Sequence, residues 1–209
     1  MITHLVTRVN LKYDPNFVFW EHRMLLLTWR VADAVREQSD KNFKWVGLID
    51  EWTSPKEKKI FYTLFDEVYE WKKSGAYSRY LENYKWQEVL SIRLDSDDII
   101  MSDYVKIIKA NVDKTEKIMM VVANKGIDVD QESETVKFIT IQVDYPIWFF
   151  GVYEQQLKKW CYEKSHTEMK YPTLYISDVY PDPLWYRVIH WENRGSKRLL
   201  FKYRIDDSL

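Results

Sequence analysis

Apolar and polar positions along the chain alternate between short β-like runs and longer helical stripes. Residues 2 to 9 read as a first strand, and the polar stretch Asn10-Leu11-Lys12-Tyr13-Asp14-Pro15 after it is marked as non-helical by its proline. From Trp20 to about Gln38 apolar residues recur at helical spacing (Trp20, Met24, Leu27, Val31, Ala34, Val35), which predicts an amphipathic helix packed on a sheet. Phe43-Lys44-Trp45-Val46-Gly47-Leu48-Ile49 predicts the next strand, and it ends on acid, Asp50-Glu51. Thr53-Ser54-Pro55-Lys56-Glu57 has the form of a capped helix start with proline in the first turn, predicting a helix to roughly Glu70. Lys72 to Ala76 breaks it, before a short helical piece around Ser78 to Asn83. Glu88 to Arg93 is strand-like, and a helix is expected from about Met101 through Val112. Lys117 to Ala123 and Glu134 to Val143 predict two more strands, with Asn124 to Ser133 as a polar hairpin turn between them. The aromatic tail from Tyr171 to Trp191 is interrupted by Pro172, Pro181 and Pro183 and reads mostly as loop, although Arg187-Val188-Ile189-His190 is short and β-like. Strand, helix, strand, helix, acidic strand is the rhythm of a doubly wound α/β domain, an open twisted sheet flanked by helices.

The stretch Arg93-Leu94-Asp95-Ser96-Asp97-Asp98 carries the strongest chemical signal. It delivers three carboxylates within four positions to the C-terminal end of a predicted strand, the edge at which open α/β sheets bind ligands. Like charges this close repel, and a hard divalent cation such as magnesium or manganese relieves the repulsion through carboxylate oxygens. The plainer alternative is helix capping, because Asp and Ser are favourable before a helix, with Ser102 or Asp103 near its start. An EF-hand is excluded: counting from Asp95 puts Ile100 at the glycine position and Lys106 at the glutamate position.

Composition narrows the partners. A chain of 209 residues suits one substantial domain, here divided into a first half (1–112) and a second half with a C-terminal segment (113–209). With 31 basic against 32 acidic residues there is no electrostatic footprint for nucleic acid. The single Cys161 excludes an intrachain disulfide framework, suits a reducing compartment and reads as a spectator thiol. Apolar runs are too short to span a bilayer and the start lacks a signal-peptide pattern, so a cytoplasmic protein is expected. Ten tryptophans and fifteen tyrosines offer flat faces for sugar rings or bases, though most aromatics in any domain serve the core. Gly126 and Gly151 are too isolated to cradle phosphate, and no G-x-G-x-x-G or P-loop pattern occurs.

Several segments in order resemble the rhamnosyltransferase-like glycosyltransferase family, a branch of the nucleotide-sugar-dependent GT-A group. They are Val6-Thr7-Arg8-Val9-Asn10; Trp20 with Arg23; Leu48-Ile49-Asp50-Glu51-Trp52-Thr53-Ser54-Pro55; Ile92-Arg93-Leu94-Asp95-Ser96-Asp97-Asp98; and the late Trp185-Tyr186-Arg187-Val188-Ile189-His190. The histidine is followed by Trp191-Glu192-Asn193 where the family commonly has glycine. The match spans nearly the whole chain, and only the acidic motif is specific.

The resemblance implies a GT-A fold with a mixed sheet and a metal-dependent glycosyltransferase of hexosyltransferase type. Its partners are then a nucleoside-diphosphate sugar and a saccharide or other hydroxyl acceptor, with Mn2+ or Mg2+ as cofactor. It implies direct metal contact by Asp97, with Asp98 sharing the ion or holding the loop, Asp95 reaching the ribose or a metal-bound water, and Asp50 the base. His190 is the expected metal or diphosphate ligand from the C-terminal segment. Arg8 and Arg93 stand near strand ends, where a guanidinium pairs with phosphate, orients a carboxylate or forms a structural salt bridge. If the reaction inverts, a further carboxylate must deprotonate the acceptor. Asp144, Glu154, Glu168 and Asp178 are the candidates, Glu168 being favoured for its polar setting Ser165-His166-Thr167-Glu168. Two other classes compete: an aromatic-rich, non-catalytic binding module whose acids only cap a helix, and a phosphatase of the haloacid-dehalogenase type, which places its Asp-x-Asp near the N-terminus.

Overall fold

Strand β1 (Ile2–Arg8) is the axis of the molecule: its interior residues are buried on both faces, as the continuous run of β-favouring side chains requires. The computed structural model describes residues 1–9, 24, 26–50, 53–71, 76–130, 135–140, 149–158, 161–162 and 171–189. On one side β1 pairs in parallel with β2 (Lys44–Asp50), which pairs in parallel with β3 (Glu67–Trp71); on the other it pairs in parallel with β4 (Val89–Asp95). Beyond β4 come β9 (Phe150–Glu154), antiparallel to both neighbours, then β6 (Ile118–Val122) and β10 (Thr173–Tyr175). The result is a seven-stranded mixed sheet of order β10-β6-β9-β4-β1-β2-β3 in which only β9 runs against the rest.

Helices cover both faces. A π-helical turn (Leu26–Val31) runs into α1 (Ala32–Arg36), and these pack with α2 (Pro55–Leu64) and α4 (Tyr104–Ala110) on one face, around Leu5, Trp45, Leu90 and Ile92. Of the apolar stripe read from the sequence, Met24, Leu27, Val31, Ala34 and Val35 face this core, and Trp20 lies outside the described residues. Each aliphatic side chain so buried contributes about 1.5–3 kcal/mol relative to exposure. The opposite face, around Val6, Leu48 and Val152, is covered by α3 (Ala76–Tyr84) and by Leu157, Cys161 and Tyr162. No helix among the described residues is long and apolar enough to cross a membrane.

A second, four-stranded sheet stands at the C-terminal edge of the first, in the order β5 (Asp98–Ile100), β11 (Trp185–Ile189), β7 (Lys125–Asp130), β8 (Thr135–Thr140). β5 continues from β4, β7 from β6, and β11 follows β10, so the chain crosses three times from the large sheet to the small one. Trp185 pins the junction: its indole donates to the Ala123 carbonyl at 2.7 Å and stacks on Phe149 at 4.3 Å. Gly126 lies beneath that indole with no room for a Cβ, which is the role of this glycine.

The sequence reading needs four corrections. Helix α2 has the expected capping box, with Glu57 N–H donating to Ser54 Oγ and Ser54 N–H to Glu57 Oε2, but it ends at Leu64 rather than near Glu70. Asp66 exchanges bonds with the Trp45 backbone and launches β3 as an edge strand, an arrangement that only pairing with β2 reveals. Residues 125 to 130, expected as turn, form β7, and the tail contains β10 and β11. Asp95, Asp97 and Asp98 do not cap a helix, because β5 intervenes and α4 begins only at Tyr104.

Candidate functional site

Strand order reverses between β1 and β4: the chain builds outward through β2 and β3, then returns to the far side of β1. Such a reversal opens a crevice at the C-terminal ends of the strands, where ligands of open α/β sheets bind. Arg8 and Asp95 are direct cross-strand partners at this point, and Asp50 ends the next strand. At about 4.8 Å per strand, Asp50 and Asp95 are roughly 10 Å apart across the crevice. By strand alternation all three side chains share the face that carries Val6 and Leu48.

Asp95 is held tightly. The Arg93 guanidinium grips it in a fork, Nε donating to Oδ1 at 3.0 Å and Nη2 to Oδ2 at 2.9 Å. The Tyr162 hydroxyl lies 3.1 Å from Oδ1 and 3.3 Å from the Arg8 backbone nitrogen, so Tyr162 donates to the carboxylate and accepts from the Arg8 N–H. Its ring carries the Arg93 guanidinium at 5.0 Å from the centroid. Burial works against the Arg93 charge, but Asp95 more than offsets it and raises the Arg93 pKa above the usual value. Arg93 thus forms an ion pair with Asp95, which fits both the carboxylate-orienting role and the structural salt bridge expected from the sequence.

The acidic run divides between the two sheets. Asp95 ends β4, Ser96 and Asp97 form a tight turn, and Asp98 opens β5 with only 5% of its surface exposed. Burial, with Asp97 and Asp95 beside it, pushes the Asp98 carboxyl well above the usual range, against the pull of Arg187 and Arg93. On the small sheet, register puts Arg187 beside both Asp98 and Asp128, and Lys137 beside Asp128. A row of alternating charge therefore crosses all its strands. Its centre is a buried ion pair in which Arg187 Nε donates to Asp128 Oδ1 at 2.8 Å and Nη2 to Oδ2. Burial raises the Asp128 carboxyl even so, opposed by Arg187 and Lys137.

Four carboxylates, Asp95, Asp97, Asp98 and Asp128, stand among four cations, Arg8, Arg93, Lys137 and Arg187. All the acidic donors are hard oxygens, the type that magnesium and manganese take. Among the described residues no three His, Cys, Asp or Glu side chains converge on one point, so they form no closed cage. A magnesium-like ion needs none, since it is commonly bound by one or two carboxylates together with substrate phosphates.

The remaining expectations fall unevenly. Asp178 ends the short 3-10 turn Ile176–Asp178 after β10 and so reaches the same edge, three strands from β4, roughly 14 Å by strand spacing. Asn124, at the end of β6, holds that turn by donating to Ser177 Oγ at 2.8 Å and accepting from the Ser177 N–H at 3.0 Å. Glu154 is removed from the candidate bases: antiparallel β9 carries it opposite Val89, at the other edge of the sheet, where it accepts from the Lys158 N–H. Glu168, His190 and Asp144 lie outside the described residues. Cys161 is buried, its thiol pushed up to about 12 chiefly by burial, as a spectator requires. Sequence reasoning missed Tyr162 and Asp128 and read Arg187 only as part of a strand. Tyr162 contacts Asp95 across 67 positions, and no local pattern signals that. The chain matches no protein-family model, and no curated protein matches it at a significant level.

Proposed function

We propose that the protein is a metal-dependent glycosyltransferase of the GT-A kind, moving a sugar from a nucleoside-diphosphate donor to an acceptor hydroxyl. One observation carries the reading: the run Asp95-Ser96-Asp97-Asp98 leaves β4 where the strand order reverses, and turns there from the large sheet into the small one. The resemblance to the rhamnosyltransferase-like family supports it, since three of its stretches fall on β1, the end of β2 and β4.

The leaving diphosphate develops negative charge as the glycosidic bond breaks, and a bound Mn2+ or Mg2+ supplies the compensating charge. Asp97, in the turn, and Asp98 would hold the ion, with His190 as a further ligand. Arg8, beside Asp95, would face the phosphates and Asp50 the base. Asp95, clasped by Arg93, would accept from the ribose or an ion-bound water. Glu168 and Asp178 are the carboxylates assigned to deprotonate the acceptor hydroxyl, and of these Asp178 stands on the same edge as the acidic run.

The test is a thermal-shift screen of uridine, guanosine and deoxythymidine diphosphates with and without manganese. A diphosphate at a hundred times its Kd adds about 2.7 kcal/mol, a rise of roughly 5–10 °C for a chain of this size. At least one is expected to give that rise with manganese and a much smaller one without. If none moves Tm under either condition, the reading is overturned. Manganese-dependent release of diphosphate from the corresponding nucleotide sugar separates an enzyme from a binding module.

A further inference from the structure

A carboxylate offers about four lone-pair directions. At Asp95 three are taken among the described residues: two on Oδ1 by Arg93 Nε and the Tyr162 hydroxyl, one on Oδ2 by Arg93 Nη2. The fourth direction, on Oδ2, takes no donor among the described residues, and the side chain keeps 25% of its surface exposed. The same Tyr162 hydroxyl accepts from the Arg8 N–H, tying Asp95 to the strand across the crevice, and Cys161 N–H donates to Ser91 Oγ at 3.0 Å, fixing the segment that carries Tyr162 on β4. The second half of the chain thus reaches back to set the geometry of a group belonging to the first.

We propose that Tyr162 and Arg93 are positioning residues of this site: together they lock Asp95 in one orientation and leave it a single acceptor direction for a ligand hydrogen bond. The inference rests on the glycosyltransferase reading for the identity of that ligand, a nucleoside diphosphate. A rotating carboxylate would meet the ligand in several orientations, and each would need to be frozen on binding. Neither side chain is assigned contact with the ligand, which distinguishes the role from that of Asp97.

Tyr162→Phe keeps the buried ring and its contact with Arg93 while removing the hydroxyl. With manganese present, uridine and guanosine diphosphate are titrated calorimetrically into wild type and variant, and Tm is recorded with and without each. The expected result is about tenfold weaker affinity for whichever diphosphate binds wild type, the scale of one hydrogen bond to a charged acceptor, and a smaller ligand-induced rise in Tm. A merely structural tyrosine lowers Tm equally with and without ligand and leaves affinity unchanged; that result overturns the positioning role alone. Arg93→Lys, which keeps the charge but loses the fork, supplies the same readout if Tyr162→Phe does not fold, and unchanged affinity there also overturns the role. A wild type that binds neither diphosphate overturns this inference together with the reading beneath it.

Discussion

Both edges of the large sheet carry a carboxylate gripped by a cation and by tyrosine, and the two differ in the kind of grip and in where they stand. At the N-terminal edge Glu67, the first residue of β3, takes Lys44 on Oε1, the Tyr84 hydroxyl within reach of both oxygens, and the Tyr69 hydroxyl on Oε2 at 2.8 Å. Each tyrosine hydroxyl has one proton, so Glu67 takes three donors. At the C-terminal edge Asp95 also takes three, two from a guanidinium fork and one from a hydroxyl, and the two side chains are similarly exposed, 21% against 25%. What separates them is place: Asp95 stands where the strand order reverses, at the edge where open α/β sheets bind ligands, and Glu67 does not. The surroundings differ too: Glu67 is pulled below its usual range by its partners in spite of burial, while Asp98, at the C-terminal edge, is pushed above by burial and by Asp97 and Asp95.

The largest expected effect separates the two edges by function. Asp97→Ala should reduce manganese-dependent diphosphate binding and donor hydrolysis by about a hundredfold or more, the scale seen when a preorganised charge partner is removed. Asp97 lies half-buried in a turn, so Tm without ligand should stay within a few degrees of wild type. Donor hydrolysis at the wild-type rate in this variant would dismiss the acidic run as the site.

Glu67→Gln should do the reverse. It keeps the shape but exchanges an ionised acceptor of two tyrosine hydroxyls for a neutral one, costing about 2–3 kcal/mol, or roughly 5–10 °C in Tm. The Lys44 contribution is discounted, because its side chain is 52% exposed and solvent screens the pair. Ligand-induced stabilisation should be unchanged. A variant with normal Tm and weakened diphosphate binding would erase the distinction between the edges.

Legibility in the sequence followed the same division. The parallel core could be read locally: β1, β2 and β4 are continuous runs of β-favouring residues, and the Ser54–Glu57 box announces α2. The acidic run could be placed at a strand's end because three acids after an apolar run have few other homes. What pairs across long separations could not. β7 reads Lys-Gly-Ile-Asp-Val-Asp, a turn by composition, and becomes a strand because Asp128 finds Arg187 at 59 positions' distance and Gly126 makes room for Trp185. β3 reads as the end of a helix until β2 is beside it. Tyr162 is one aromatic among many until its hydroxyl meets Asp95.

The smallest expected effect tests the N-terminal edge by pH. His4, fully buried on β1 beside the Glu67 cluster, has Nδ1 2.7 Å from the Tyr80 hydroxyl, while Nε2 has no hydrogen-bond partner among the described residues. An imidazolium needs an acceptor at each nitrogen, and here one proton would be buried unpaired. Burial accordingly lowers the His4 pKa to about 4; Glu67 pulls it up and Lys44 adds a smaller downward push. The folded value lies below that of an unfolded histidine, about 6.5, so between the two the unfolded chain binds the extra proton. The contribution to stability is therefore complete above about pH 6.5 and is lost as pH falls toward 4, a loss of about 2 kcal/mol from pH 7 to 5. Glu67, lowered from 4.5, acts below that window, and the raised Asp98 and Asp128 carboxyls are common to wild type and a His4 variant, so the difference between the two isolates the imidazole. In urea titrations at pH 7 and 5, wild type should show this loss over and above that of His4→Gln. An equal loss in both would mean that protonation of His4 does not differ between the folded and unfolded chain.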